Sequence, residues 1–371
     1  MEKTLLIFLC VIITLTIPSI YADPRCLAHQ WQEVESFGDV PQTIGSHSMV
    51  SFGHNLYIFG GMDEGFLSQT NTFYKNVTRF NTHSGKWKVL DNGTGPSARG
   101  FHSAIADPEN ASMYVYGGLT YNADFSNMII LNDFWKFDFV EETWTQLSTI
   151  NGPEPRADFS MTYLDGIIYL FGGIKTSGYV DDNALWAYDI EDNEWNILTE
   201  SGALGSPQGR HAPRLVALKG KIFLNDGKTF DPTTNLFPHI NDTWIYNPST
   251  NNWRDITPVY NKNMNPLVLY TGYAGVGGRK LVVYGGDKGG GITGCGAPYD
   301  QNAQNSTWIF DAKAGNRTWK LLNSSPISPP NLKRHAGASI GNIFYIYGGF
   351  SFDSCPPGQV WNNKMWKIKI K

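Results

Sequence analysis

Four arginines, Arg99, Arg156, Arg210 and Arg334, and three histidines, His47, His102 and His335, recur at similar places along this 371-residue chain. His211 lies two residues ahead of the histidine register. A guanidinium offers a planar fork of donors that fits a carboxylate, so such a set suits recognition of an acidic ligand. Aromatic residues in neighbouring stretches (Phe66, Tyr121, Phe125, Tyr179, Tyr299, Phe352) could stack against peptide or sugar. Carboxylates are present too, at Asp63, Glu64, Asp158, Asp181, Asp182, Asp287 and Asp353, but no spacing pairs two of them as acid and base. His-Glu-x-x-His, Cys-x-x-Cys and Walker phosphate-loop patterns do not occur. Gly337–Gly341 has the letters of a nucleophile elbow, yet it reads as a strand and its turn, not a strand-to-helix corner. Lys288–Gly291 lacks the strand and helix that flank a phosphate cradle. The residues point to ligand binding without a cofactor or metal, rather than to catalysis.

The elements that must position them follow from composition and repetition. Lys and Arg total 29 against 33 Asp and Glu, a net charge of −4, so no basic field favours nucleic acid or anionic lipid. Charged residues are only 17%, aromatics reach 14%, and there are 39 glycines, the profile of short strands joined by tight turns. Glu2 and Lys3 precede an apolar run, Leu5 to Ile17, then Pro18 and a small-residue exit at Tyr21–Ala22. That is the pattern of a secretory signal over residues 1–22, too short for a membrane anchor, leaving 23–371 as one domain.

Six tryptophans recur at intervals of 51 to 66 residues: Trp31, Trp87, Trp144, Trp195, Trp253 and Trp319. Trp135, Trp186, Trp244, Trp308 and Trp366 form a second register. A third is the glycine pair at 60–61, 117–118, 172–173, 285–286 and 348–349, replaced once by Asp226–Gly227. Each pair follows an apolar run such as Leu56–Phe59 or Phe344–Tyr347, and each later strand reads like Asn132-Asp-Phe-Trp-Lys-Phe-Asp138. A four-stranded sheet of this size cannot bury both faces alone, so such units must stack around an axis.

From about residue 30 to residue 371 these positions resemble the kelch repeat. The resemblance implies an all-β, six-bladed propeller with four antiparallel strands, a to d, per blade. Trp31 belongs to a fourth strand with nothing before it, and the last unit stops at its third, near Trp366. The N-terminal strand is therefore expected to complete the last blade and remove an exposed edge. Long b–c connections and the d–a loops then share one face, the usual place for recognition on a rigid scaffold. In kelch proteins that bind peptides, the arginines matching Arg99, Arg156, Arg210 and Arg334 line the channel mouth. His47, His102, His335, Tyr121, Tyr179 and Phe352 are expected beside them.

Cys295 and Cys355 fall in the long loops of adjacent blades and are expected to form a disulfide, worth roughly 4 kcal/mol at most for a loop of about 60 residues. A Cys26–Cys355 bridge between the chain ends is the rival pairing. Seven glycosylation sequons occur, at Asn76, Asn92, Asn110, Asn241, Asn305, Asn316 and Asn323. The expectation is a secreted or secretory-lumen glycoprotein that binds a protein or carbohydrate ligand through the long-loop face. The alternative is an exported sugar-processing enzyme resembling N-acetylneuraminate mutarotases, with Asp158 and Arg99 or Arg156 as its acid and arginine. A copper radical oxidase resembling galactose oxidase fits less well, since that family has seven blades and needs a Tyr–Cys crosslink that Cys295 and Cys355 are poorly placed to supply.

Overall fold

The computed structural model describes residues 29–65, 70–90, 93–122, 127–176, 182–234, 237–257, 271–287, 303–312, 319–322, 325–352 and 359–371. Strands alternate in character with their depth. Second strands such as Asn55–Phe59, Ile167–Phe171 and Ile343–Tyr347 are continuous apolar runs, because a neighbouring blade covers each face. Outer strands alternate: in Lys86–Val89 and Asn252–Asp255 only the Trp is buried. Inner strands begin with small or polar residues, so that six can converge around an axis.

These strands form six sheets, each with the order a-b-c-d. Blades 1 to 5 begin at the inner strands Ser48–Phe52, Ser103–Asp107, Ser160–Leu164, Arg214–Leu218 and Gly272–Val276. Blade 6 takes Ala336–Ile340, Ile343–Tyr347 and Met365–Lys369 from the C-terminus and its fourth strand, Trp31–Val34, from the N-terminus. Trp31 faces Ile368 and Glu33 faces Trp366, the ring closure expected from the tryptophan count. The Trp31 indole also donates to Thr307 Oγ1 of blade 5 at 2.9 Å. A second strap follows at once: Phe37–Gly38 adds in parallel to blade 1's outer strand, so the N-terminal segment joins blades 6 and 1 twice.

The same contact recurs at five blade seams. The aromatic residue before each Gly pair meets the fourth-strand Trp of the next blade: Phe59–Trp144 at 5.1 Å, Tyr116–Trp195 at 5.6 Å, Phe171–Trp253 at 5.8 Å, Tyr284–Trp31 at 4.8 Å and Tyr347–Trp87 at 4.9 Å. At the seam of blades 4 and 5 the aromatic position is Asn225, and the Arg214 guanidinium stands over Trp319 instead, 6.0 Å from the ring. The paired glycines make these seams possible. Gly118 has φ +98°, and a Cβ there would lie 2.7 Å from the Gly100 carbonyl and 2.8 Å from His102 Cβ.

The long b–c connections are more regular than loops. Met62–Gly65 pairs with Thr70–Phe73 and Phe350–Phe352 with Gln359–Trp361, while blade 2's strands run on through Tyr121 and from Met128. Past the bulge at the Gly pair, two antiparallel neighbours still offer each other free amides and carbonyls, so the ladder resumes. Among the described residues no helix is long and apolar enough to cross a membrane.

Candidate functional site

Just before the inner strands, the backbone turns left-handed at Ser46, Phe101, Asp158, Ala212 and Arg334, with φ between 52° and 60°. These positions share one repeat register, and their amides link blade to blade. Ala212 donates to Asp158 (2.7 Å), Asp158 to Phe101 (2.9 Å), Phe101 to Ser46 (3.0 Å) and Ser46 to Arg334 (2.9 Å). Left-handed geometry costs roughly 1 kcal/mol or more at a residue with a Cβ. Here it aims each amide along the ring, and the hydrogen bonds offset the strain. Asp158 and Ala212 line a central channel whose cavity is about 540 Å³, and Ser46, Phe101 and Arg334 hold the same register before their own inner strands.

Charge gathers at this mouth from four blades. Asp158 comes from blade 3, Lys228 from blade 4, Asp287 from blade 5, and Lys333 and Arg334 from blade 6. Lys333 Nζ reaches Asp287 at 3.1 Å, and Arg334 lies over the Phe101 ring at 4.9 Å. Burial pushes the Lys228 amine below the ordinary lysine range; Arg334 and Lys333 push it the same way, while Asp158 and Asp287 oppose them. His239 is lowered first by its own burial, then by Lys228, with Asp287 opposing and Arg214 adding to the effect. Titratable groups of both signs with perturbed protonation converging from four blades make this opening a candidate site on physical grounds.

Only one of the four expected arginines stands there. Arg99, Arg156 and Arg210 are fully buried inside their own blades. Arg99 donates to Asp133 Oδ1 (2.6 Å) and Oδ2 (2.7 Å), to the Gly117 and Ser97 carbonyls, and to Ser97 Oγ. Arg210 makes the equivalent bidentate pair with Asp242 and reaches the Asp226 and Gln208 carbonyls. Arg156 holds Asp182 at 3.3 Å, a carboxylate shared with Lys175. The reason is register. Arg99, Arg156 and Arg210 precede the inner strand by four residues and point into the blade, whereas Arg334 precedes it by two and points to the axis.

The histidines are likewise drawn inside. His47, His102 and His335 are 7%, 8% and 4% exposed, each set edge-on against the aromatic before the preceding blade's Gly pair: Tyr347, Phe59 and Tyr284. Burial pushes His47 and His335 down to about 3 and His102 well below its usual value. They are neutral spacers between blades that also line the channel wall. Tyr121 packs against Phe73, joining the hairpins of blades 2 and 1. The Phe352 backbone ends a hairpin strand. Tyr179, Phe66, Phe125, Tyr299, Cys26, Cys295 and Cys355 lie outside the described residues, as do Asn92, Asn316 and Asn323. Asn76, Asn110 and Asn305 are exposed and Asn241 is half-buried.

Of the residues that meet here, sequence reasoning did not single out Lys228, His239 or Lys333; it noted Asp287 as an unpaired acid, and Asp158 both so and as the acid of the mutarotase-like alternative. A partial signal existed, since Lys228, Asp287 and Phe350 each follow the second glycine of the paired-Gly register. The acids that bind the buried arginines were also readable, as the Asp two residues before Trp135 and Trp244.

Residues 46–286 match the KLHDC2/KLHL20/DRC7 Kelch-repeats domain. A protein from Thlaspi arvense named N-(sulfonatooxy)prop-2-enimidothioate sulfolyase is 28% identical over 277 residues, covering 71% of this chain and 76% of that protein. Kelch domain-containing protein 3 of Bos taurus is 27% identical over 281 residues, 73% of this chain and 68% of the relative. Kelch domain-containing protein 10 of Homo sapiens is 28% identical over 230 residues, 60% of this chain and 48% of the relative. With that match spanning well over half of a ring of six four-stranded blades, the chain belongs to the KLHDC2/KLHL20/DRC7 Kelch-repeats family.

Proposed function

We propose that this chain is a binding module that captures a segment of another protein at the axial mouth. The observation that carries the reading is the convergence of Asp158, Lys228, Asp287, Lys333 and Arg334 from four blades around one channel opening. Groups of both signs at a rigid, concave mouth select a ligand that carries complementary charges, and the aromatic Phe101 and Phe237 supply apolar contact. The hairpins of the long connections surround this opening and widen the contact area. The N-terminal apolar run and the exposed sequons at Asn76, Asn110 and Asn305 support export and glycosylation. A glycan as ligand rests only on the aromatics, and is the weaker form of the proposal.

The test is capture of binding partners from the secreted fraction by wild-type protein and by an Arg334→Glu/Asp158→Lys variant. Loss of the captured proteins with a melting temperature within about 3 °C of wild type supports mouth binding, because half-exposed surface substitutions change stability little. Unchanged capture by this variant would place the interface elsewhere.

A further inference from the structure

Lys228 is the centre of a small ladder that the propeller repeat does not require. Its backbone pairs with His211 on one side and His239 on the other, both antiparallel. Directly opposed residues in antiparallel pairs project on the same face with Cβ atoms about 5 Å apart, so His211, Lys228 and His239 form one row. Phe237 covers that row: its ring is 5.2 Å from Lys228 Nζ and 5.5 Å from the His211 ring. Both ring nitrogens of His239 are shielded from solvent without a hydrogen-bond partner. Asp158, which lines the channel, and Asp287, Lys333 and Arg334 all act electrostatically on the Lys228 amine.

We propose that Lys228 captures a small carbonyl compound as a reversible imine at the channel mouth, with His239 as its proton carrier. An amine attacks a carbonyl only as the free base, and desolvation together with neighbouring cations is the arrangement that frees it. Lys228 has both, through Phe237 and through Lys333 and Arg334. The step is balanced without any redox partner. The Nζ lone pair forms a bond to the carbonyl carbon, and the π pair moves to oxygen. One proton shed by nitrogen passes through the His239 imidazole to that oxygen to give a hydroxyl, and a second proton, taken from solvent, lets the hydroxyl leave as water as the C=N bond of the iminium forms. With Lys228 neutral, Lys333 and Arg334 balance Asp158 and Asp287; the iminium then adds one positive charge, so a carbonyl compound carrying a carboxylate, an α-oxo acid, suits the bound state. This site does not depend on whether a protein segment docks at the same mouth.

Glyoxylate or pyruvate with cyanoborohydride at pH 7.5 traps any imine as a stable secondary amine, which peptide mapping then locates. Lys228 is expected to be labelled severalfold faster than the exposed Lys86 and Lys320, because its burial favours the free base. His239→Gln should slow labelling of Lys228 and leave Lys86 unchanged. Labelling spread evenly over the lysines, with Lys228 no faster than Lys86, overturns the proposal. Wild-type protein alone decides this, so a misfolded Lys228→Arg control cannot rescue or sink it.

Discussion

Replacing Arg99 with Met separates a buried architectural arginine from a ligand-reading one. Arg99 is 0% exposed and all five of its N–H groups are used. Methionine fills much of the volume but leaves the Asp133 carboxylate and the Gly117 and Ser97 carbonyls without their donors. Breaking a buried ion pair costs about 3–5 kcal/mol. Asp133 is 23% exposed and keeps the Trp135 indole as a donor at 2.7 Å, which moves the expectation to the lower half of that range, near 3–4 kcal/mol. At roughly 2 °C per kcal/mol for a domain of this size, the melting temperature should fall by about 7 °C. The pH dependence is a second signature. Burial alone raises the Asp133 carboxyl, but the Arg99 hydrogen bonds and charge outweigh it and hold it below the usual range. This group therefore stabilises the fold above its unfolded pKa, and that stability is lost as pH falls through the lower folded value. In Arg99→Met burial is opposed only by the Trp135 indole and the Asp133 backbone amide, so Asp133 protonates more readily and the deficit should narrow between pH 7 and pH 4. Urea titrations of wild type, Arg99→Met, Asp133→Asn and the double variant measure both quantities, with a coupling of about 1–3 kcal/mol expected. A variant within 1 kcal/mol of wild type that had lost ligand capture would refute this reading and return Arg99 to the mouth.

Trp31→Ala should destabilise the ring by about 3–5 kcal/mol, since it empties a site 4% exposed, breaks the bond to Thr307 and loosens the strand that joins the termini; a urea midpoint unchanged from wild type would deny the closure its role. Gly118→Ala should cost about 2–4 kcal/mol through backbone strain plus the clash with Gly100 and His102, whereas Gly166→Ala, with φ +81° but nothing within 4 Å, should cost only about 1 kcal/mol. Equal losses at the two sites would show that conformation alone matters. Between pH 7 and pH 5 the fold should lose stability: His47 and His335 titrate at about 3 in the native state, so the unfolded chain binds more protons in that window. Each ring then contributes a loss of about 2 kcal/mol at pH 5, and His47→Gln should flatten the pH dependence of the urea midpoint by that amount.

Blade number and ring closure could be read along the chain because they depend on local, repeated features. Burial on both faces writes second strands as unbroken apolar runs, the Gly pair marks the bulge after them, and an unmatched Trp31 at one end calls for the incomplete sheet at the other. The acid partners of Arg99 and Arg210 were almost as visible, in the Asp two residues before a third-strand Trp, whereas Asp182, the partner of Arg156, lies four before Trp186. The functional mouth was not. Arg334 and Arg99 both precede an inner strand, yet a two-residue difference in register sends one to the axis and the other into its blade, and only the turn geometry reveals that offset. The Asn225–Asp226 departure in blade 4 was visible as a broken repeat, but Arg214 taking the aromatic's place over Trp319 was not.

What the linear order determined was the unit and its repetition, since hydrogen-bonded strands and stacked blades draw on near neighbours in the chain. What the tertiary structure alone decided was which side chains meet at the axis. Asp158, Lys228, Asp287 and Arg334 come from four different blades, and closing the circle is what turns such distant positions into neighbours.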